Sequence, residues 1–570
     1  MRPRLNAQAI ARGLFSILVL AVLAEPSRGQ QSLYLSDIDV LYPLGTGVVS
    51  FDLSADSRGT IHVAIRRGAV RYRKSSDLGQ SFGPEIVVQD PEGAASFTRD
   101  ARIISDDQQR ACVFWIDSRG DCRPSLRMNC SQDGGETWRA ADIHVSENDT
   151  GVQVFPGYQV AFDDNGILYC CYQDARDDTF ELELWFRRSL DGGGCFEPEI
   201  IPLWTTARFP ESIKPVAMQA DGQGAVYILL WRILENTREL YLQTSLDFGV
   251  TWLGPVLVDP VPELTLDPAL VCGPSGVVQV VWTGFRNVRN HIYFARSTDF
   301  GRTFAPTVQM DSQGNSVITQ WPAIDADLQG SAYLVWRNDR DIHLRISRDH
   351  GETWEPEVSL GSTFAWSVPR VFTNESGHVV VEWQARFATE FGEELNVSFD
   401  AGETWLPQAV RFDATGGGTT VGRGQAMDAA GRFYMLWDEE FDMGPVIDTE
   451  THFRAAYPTL AGSLVARDDG DGIVIIPPEG GELAIDIELW NHDPLNRIES
   501  LTAYLEAELP SGQRVGPLGR MRTFNIPIGV GRSATLRRTF PGARPPGRYA
   551  VIVTTTGPIE ASFKLPILKE

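Results

Sequence analysis

Histidine is scarce in this chain. Its eight residues, at positions 62, 144, 291, 343, 350, 378, 452 and 492 of 570, show no His-Glu-x-x-His or other metal-ligand spacing. That removes the usual sequence signatures of a zinc hydrolase. The Gly-x-x-x-x-Gly-Lys loop that cradles phosphates is also missing. Neither metal nor cofactor is expected. "DDGDG" from Asp468 has some of the oxygens of a calcium loop, but the remaining positions are lacking and it reads as a linker turn. Positive charge is short as well: 75 acidic residues face 50 basic ones, a formal net of −25. Such a surface repels nucleic acid and anionic membrane, which normally need a basic patch.

Long apolar runs are confined to the first residues. "MRPRLNAQAIARGLFSILVLAVLAEPSRGQ" has Arg2, Arg4 and Arg12, then an apolar stretch too short for an ordinary spanning helix, then the small-residue site ending at Ala24. It reads as a signal peptide over 1–24, with cleavage as late as 29 an alternative. The mature chain is then expected to be secreted or extracellular, or periplasmic, without membrane insertion. Cysteine is sparse: Cys112, Cys122, Cys130, Cys170, Cys171, Cys195 and Cys272 make an odd number. Export permits disulfides. Cys112 and Cys130 fall near cross-strand positions, Cys122 competes with them, and buried free thiols fit equally well.

What the chain does have is repetition. "SRDHGETW" from Ser347 recurs as "SSDLGQSF" from Ser75, "SQDGGETW" from Ser131, "SLDGGGCF" from Ser189, "SLDFGVTW" from Ser245, "STDFGRTF" from Ser297 and "SFDAGETW" from Ser398. The serines are 56, 58, 56, 52, 50 and 51 residues apart, a period that marks a repeat architecture. A Ser and an Asp two apart can bond to the amides of a tight turn, and the Gly accepts positive φ. Before each phrase runs an apolar strand such as "IYFAR", and before that another such as "AYLVW" or "VVVEW". Ahead of these come a Gly-bearing turn and a short first strand. One repeat is therefore a four-stranded antiparallel blade.

At this spacing the phrase resembles the Asp box of sialidases and related propeller proteins, over about three quarters of the chain. The resemblance implies a β-propeller, with Asp77, Asp133, Asp191, Asp247, Asp299, Asp349 and Asp400 holding turns on the face away from the ligand. Cys195 stands where the other copies have a hydroxyl, so that turn is expected to bond differently. "GQAMDAAGRFYMLWDEE" from Gly424 starts an eighth unit without the phrase; its outer strand is expected from the N-terminal "DIDVLYPL". The fold expected is all-β: an eight-bladed propeller over 32–460, with seven blades the alternative. An antiparallel immunoglobulin-like β-sandwich then follows over 463–570, where the phrase stops and strands such as "GELAIDIELWN" and "GRYAVIVTTT" begin.

The resemblance also implies what a sialidase would need: an arginine triad for a carboxylate, a Tyr nucleophile with its Glu, an Asp acid, and an early Arg-Ile-Pro or Arg-Leu-Pro. That motif is absent, and "RFP" at Arg208 falls too late. Thirteen residues before the second-strand Trp of a repeat stand Arg102 (from Trp115) and Arg370 (from Trp383), whereas Ala323 and Gly424 hold that place elsewhere. With Arg99 and Arg423 nearby, these form a candidate basic mouth suited to a carboxylated sugar; the competing reading is ordinary ion pairing. Glu382 replaces the apolar residue before Trp383; it is expected to pair with Arg370 near the central funnel and counts as a further mouth candidate, with a purely structural bridge the alternative. Asp117 with Arg119, Asp174 with Arg176, and Asp339 with Arg340 recur in the loops after second strands and read as scaffold. The expectation is a monomeric binder of a glycan or cell-surface polymer, no catalytic residue being identifiable; the alternative is an exo-sialidase-type hydrolase.

Overall fold

The computed structural model describes residues 32–569 except 92–96, 120–123, 147–156, 175–181, 198–200, 206–210, 236, 262–263, 287–288, 313–318, 364–366, 388–389, 414–418, 443–446, 467–473, 493–496, 512, 519–520, 528–530, 542–543, 557–558 and 560. The expected leader, Cys122, Arg176, Arg208 and Asp468 lie outside the described residues. Among those described, the regular structure is strand apart from one short 3-10 turn, Pro274–Gly276.

Up to Pro458 the strands form eight antiparallel sheets, seven of four strands and one of five. Each of the seven is built in chain order, as Thr319–Ala326, Ala332–Asn338, Asp341–Ser347 and Val358–Ser362 illustrate. The first strands touch one another in succession, and Ser50–Ala55 also touches Thr419–Met427, so the array returns on itself. This is the radial arrangement of propeller blades. In the five-stranded sheet, Leu33–Leu35 and Asp39–Tyr42 both pair with Ile447–Pro458, as expected of the N-terminal segment.

The second strands explain why the sheets stack. Ala111–Ser118, Leu168–Asp174 and Ala332–Asn338 are buried at every residue, because both faces of such a strand meet a neighbouring sheet and alternation gives way to a continuous apolar run. Trp115, Trp282, Trp336, Trp383 and Trp437 are fully buried between sheets, each worth about 3–5 kcal/mol against truncation to Ala. Tyr333 and Val335 of one sheet pack with Val371, Val379 and Trp383 of the next. First strands such as Ser50–Ala55 are mostly half-buried and border the central channel.

The Ser-x-Asp phrases build one turn seven times. In the copy from Ser347, the serine Oγ donates to Asp349 Oδ1 at 2.8 Å and accepts from Gly351 N. Asp349 accepts from Thr353 N at 2.8 Å and Thr353 Oγ1 at 2.5 Å. At Asp191 the same bonds form with Cys195: its N–H at 2.9 Å and its Sγ at 3.2 Å replace the hydroxyl donor, so the geometry survives the substitution. The residue before the turn glycine is also left-handed, φ 56° at His350 and 57° at Ala401, a conformation costly for a side chain. Its N–H donates to the turn between first and second strands, His350 to Gly330 O at 2.7 Å and Ala401 to Gly377 O at 2.7 Å. The two sets of turns are thereby tied together on one face of the array. Cys112 and Cys130 are cross-strand partners joined in a disulfide, while Cys170, Cys171, Cys195 and Cys272 are free.

From Leu460 onward, two further sheets share one core that includes Leu483, Ile485, Phe563 and Leu565. One pair there departs from the all-antiparallel expectation: Val474–Ile476 runs parallel to the last strand, Ala561–Lys569. The chain enters this sheet beside its final strand and in the same direction, so no hairpin can join them. This part touches the turn face, where Lys564 N donates to Ser376 Oγ at 3.3 Å and Phe563 meets His378.

Asp349→Ala is expected to lower stability by about 1–3 kcal/mol in denaturant unfolding while leaving ligand affinity unchanged; lost affinity at full stability would make the turn a site. A second expectation concerns pH. Burial raises the Asp325 carboxyl to about 7 and the Glu375 carboxyl to about 8, and the N–H groups they accept from offset this only partly. Acids raised in this way contribute stability that is complete below their unfolded pKa of roughly 4 and is lost as pH rises through the folded value. Buried His62 and His378, lowered to about 4 by desolvation, act in the opposite sense on the acid side. The melting temperature should therefore decline from about pH 6.5 to 8.5, and Asp325→Asn with Glu375→Gln should flatten that decline.

Candidate functional site

Register places eight first-strand positions at one level of the channel. Asp52 lies opposite Ala64, Arg102 opposite Phe114, Gln159 opposite Cys171, Pro215 opposite Leu230, Ala269 opposite Val281, Ala323 opposite Val335, Arg370 opposite Glu382, and Gly424 opposite Leu436. The structure thus brings Arg102 and Arg370 to one ring, as the spacing predicts. It adds Asp52, which sequence reasoning missed because the second strand of its sheet, "IHVAIRR", has no Trp from which to count.

The level is electrostatically linked. Asp52 is raised above the usual carboxylate range by burial. Pulling the other way are the N–H of Ile103, which donates to its Oδ2 at 3.0 Å, and the charges of Arg102 and Arg370. Arg102 is half-buried; its Nη1 donates to Tyr158 O at 3.2 Å and its guanidinium lies 5.0 Å from the Tyr158 ring centroid. Arg370 is exposed. Lys214, a second residue missed, is half-buried on its first strand one position before Pro215. Arg423 lies in its strand opposite Trp437; its side chain is outside the described part.

Just above Arg102 the first strand bulges. Arg99 pairs with Ile116, register shifts, and Asp100 adopts φ 53°. Its carboxylate is 3.6 Å from Arg99 Nε, and Tyr158 OH donates to its carbonyl oxygen. The same bulge recurs with Asp267 at φ 48° and Trp321 at φ 55°. Bulges of this kind re-aim side chains. Trp321 is half-buried with the Arg337 guanidinium 4.8 Å from its ring centroid, and no sequence rule singled it out.

Glu382 belongs to the wall. It is completely buried, with Oε2 accepting from Gln425 Nε2 of the adjacent sheet at 2.7 Å. The expected alignment with Arg370 holds in the backbone register. Asp117 is also scaffold. It accepts from Trp115 Nε1 at 2.9 Å, Gln89 Nε2 at 3.1 Å and Arg119 Nη2 at 2.8 Å, and Arg119 bridges on to Asp90 at 2.5 Å and Asp142 at 2.6 Å. This network joins two sheets. Asp174 is buried, and Asp339 with Arg340 forms the exposed tip of a hairpin closed by Asn338 and Asp341. The string "GQSFG" from Gly79 has the spacing of a nucleophile elbow, yet Ser81 sits in a strand-to-strand turn with its hydroxyl on Asp77 Oδ2 at 2.5 Å.

No protein-family model matches the chain, and no curated protein matches it. Similar solved structures include the polysaccharide lyase Uly1, at 9% identity and TM-score 0.42, over 74% of this chain and 99% of that one. The BP39L lectin from Burkholderia pseudomallei is 11% identical at TM-score 0.39, over 64% and 99%. The Hadza microbial sialidase Hz136 is 15% identical at TM-score 0.33, over 56% and 73%. Likeness this distant bears on neither the site residues nor a reaction.

Glu382→Gln is expected to cost about 1–3 kcal/mol of stability, as the loss of a charge-assisted buried hydrogen bond, with ligand affinity intact. Lost affinity in a variant that melts normally would return Glu382 to the site.

Proposed function

We propose that the chain is an exported Asp-box β-propeller of eight blades over residues 32–460, followed by an immunoglobulin-like sandwich over 463–570. It binds a carboxylated glycan or cell-surface polymer at the channel mouth, as a monomer and without cleaving it. The observation that carries the reading is the placement of Arg102 and Arg370 at one register level, with Asp52 between them in the succession of sheets. Guanidinium groups bind carboxylates through paired, charge-assisted hydrogen bonds, and here they stand on first strands in a chain of net charge −25. An anion drawn into such a protein must be recognised by local positive groups, since the overall field opposes it.

A first-strand cation ring supplies binding without a visible means of bond cleavage. None of the eight first strands contains a tyrosine, the nucleophile that a sialidase-type mechanism requires. Tyr158, beside Gln159, is fully buried and holds the Asp100 carbonyl through its hydroxyl. Burial raises its pKa far above the phenol value, the reverse of what activates a nucleophile. Support for binding therefore rests on Arg102, Arg370 and Lys214, with Trp321 as a stacking surface for a sugar ring.

The test is a glycan array containing sialylated, uronate-bearing and neutral glycans, run beside a fluorogenic sialoside assay. Binding is expected to favour the carboxylated glycans, with no turnover above background. Arg102→Ala and Arg370→Ala should each weaken binding about tenfold or more, as charge-assisted bonds do when lost, in variants that remain folded. Neutral glycans bound as well as acidic ones, or turnover abolished by a single Tyr or Glu substitution, would overturn the reading.

A further inference from the structure

The C-terminal part contains a cavity that the channel reading leaves unused. It is a cleft of about 510 Å³ between the two sheets, within the range of roughly 300–1,000 Å³ common to small-molecule sites. Ile487, Leu489 and Leu536 line it from one sheet, and Leu505, Phe524 and Val553 from the other. Packed sheets normally fill the space between their inner faces. Here the core around Ile485 and Phe563 is closed, whereas Ile487, Leu505, Phe524 and Leu536 remain only partly buried. Leu518 overhangs the cleft at 38% exposure, its N–H held by Leu505 O at 2.6 Å.

Two cations stand in this apolar lining. Arg522 and Arg532 border the cleft from opposite sheets, both exposed. Among the described residues, no ion pair or side-chain hydrogen bond engages either guanidinium. In a chain of net charge −25, two arginines left without an acidic partner beside an apolar cleft suit a ligand that is both apolar and anionic. A glycan would find too few polar groups in the lining, a neutral apolar molecule would leave the arginines unused, and a cation would be repelled.

We propose that this cleft binds an amphipathic anion, a monocarboxylate with an acyl-sized apolar body. The apolar part lies between the sheets, and the carboxylate accepts hydrogen bonds from Arg522 and Arg532. The site is separate from the channel, so it stands or falls independently of glycan binding there.

The experiment titrates the full mature chain with cis-parinaric acid, a fluorescent polyunsaturated fatty acid, and in parallel with its methyl ester. The acid should show a saturable rise in emission at a single site per chain and bind about tenfold tighter than the ester, the effect of losing charge-assisted bonds. Arg522→Ala with Arg532→Ala, at exposed positions, should bring the acid down to the affinity of the ester. Ala503→Trp, which fills the cleft, should abolish binding of both; if that variant does not fold, the arginine pair still decides. The proposal is overturned by an absence of saturable binding to folded protein, by equal affinities for acid and ester, or by a folded Ala503→Trp protein that binds normally.

Discussion

The pairing of Leu33–Leu35 and Asp39–Tyr42 with Ile447–Pro458 is the contact on which the array depends. A sheet with an open edge exposes unpaired N–H and C=O groups and invites association; here strands from the start of the described chain cover the edge that its last propeller-type sheet would leave. The closing contacts are polar as well as apolar. Arg454 Nε donates to Ser36 O at 2.8 Å, and Tyr457 OH donates to Leu78 O at 2.8 Å. The second of these reaches the turn of the first sheet, so the seam joins both ends of the ring.

Once the ring is closed, the first strands can be held at one height. Side chains on one first strand accept an N–H from the next: Asp52 from Ile103, Ser54 from Ser105, Gln219 from Cys272 and Asp325 from Thr373. These tethers give the channel wall its register, and they account for carboxylates that would otherwise be unfavourable so deep in the fold. Asp52 therefore has two roles in one place, a tether for the neighbouring strand and the acidic member of the ring that contains Arg102 and Arg370. The Ser-x-Asp phrases and the contacts with the C-terminal part share one face of the array.

Much of this was legible in the residues. The Ser-x-Asp phrase predicts a turn, and the turn is built seven times with the same bonds, even where Cys195 replaces the hydroxyl. Counting from the buried Trp of the second strand places Arg102 and Arg370 correctly, because antiparallel register is rigid over a short hairpin. The same count failed for the first sheet, which lacks the Trp, and so Asp52 was invisible. Glu382 was visible as an exception, and its alignment with Arg370 follows from the short hairpin; its bond from Gln425, which comes from another sheet 43 residues away, was not legible.

What the sequence determined by itself is therefore the local unit: strand lengths, the turn chemistry and the repetition that makes each sheet resemble the next. These follow from interactions within a few residues or one hairpin, where backbone conformation and apolar patterning are sufficient. What only the tertiary structure decided is everything that depends on two distant sheets meeting. That includes the burial of Glu382 against Gln425 of the adjacent sheet and the N–H bonds that Asp52 and Asp325 accept from neighbouring first strands. Such features are set by which surface closes over a side chain, and that surface comes from chain far away in sequence.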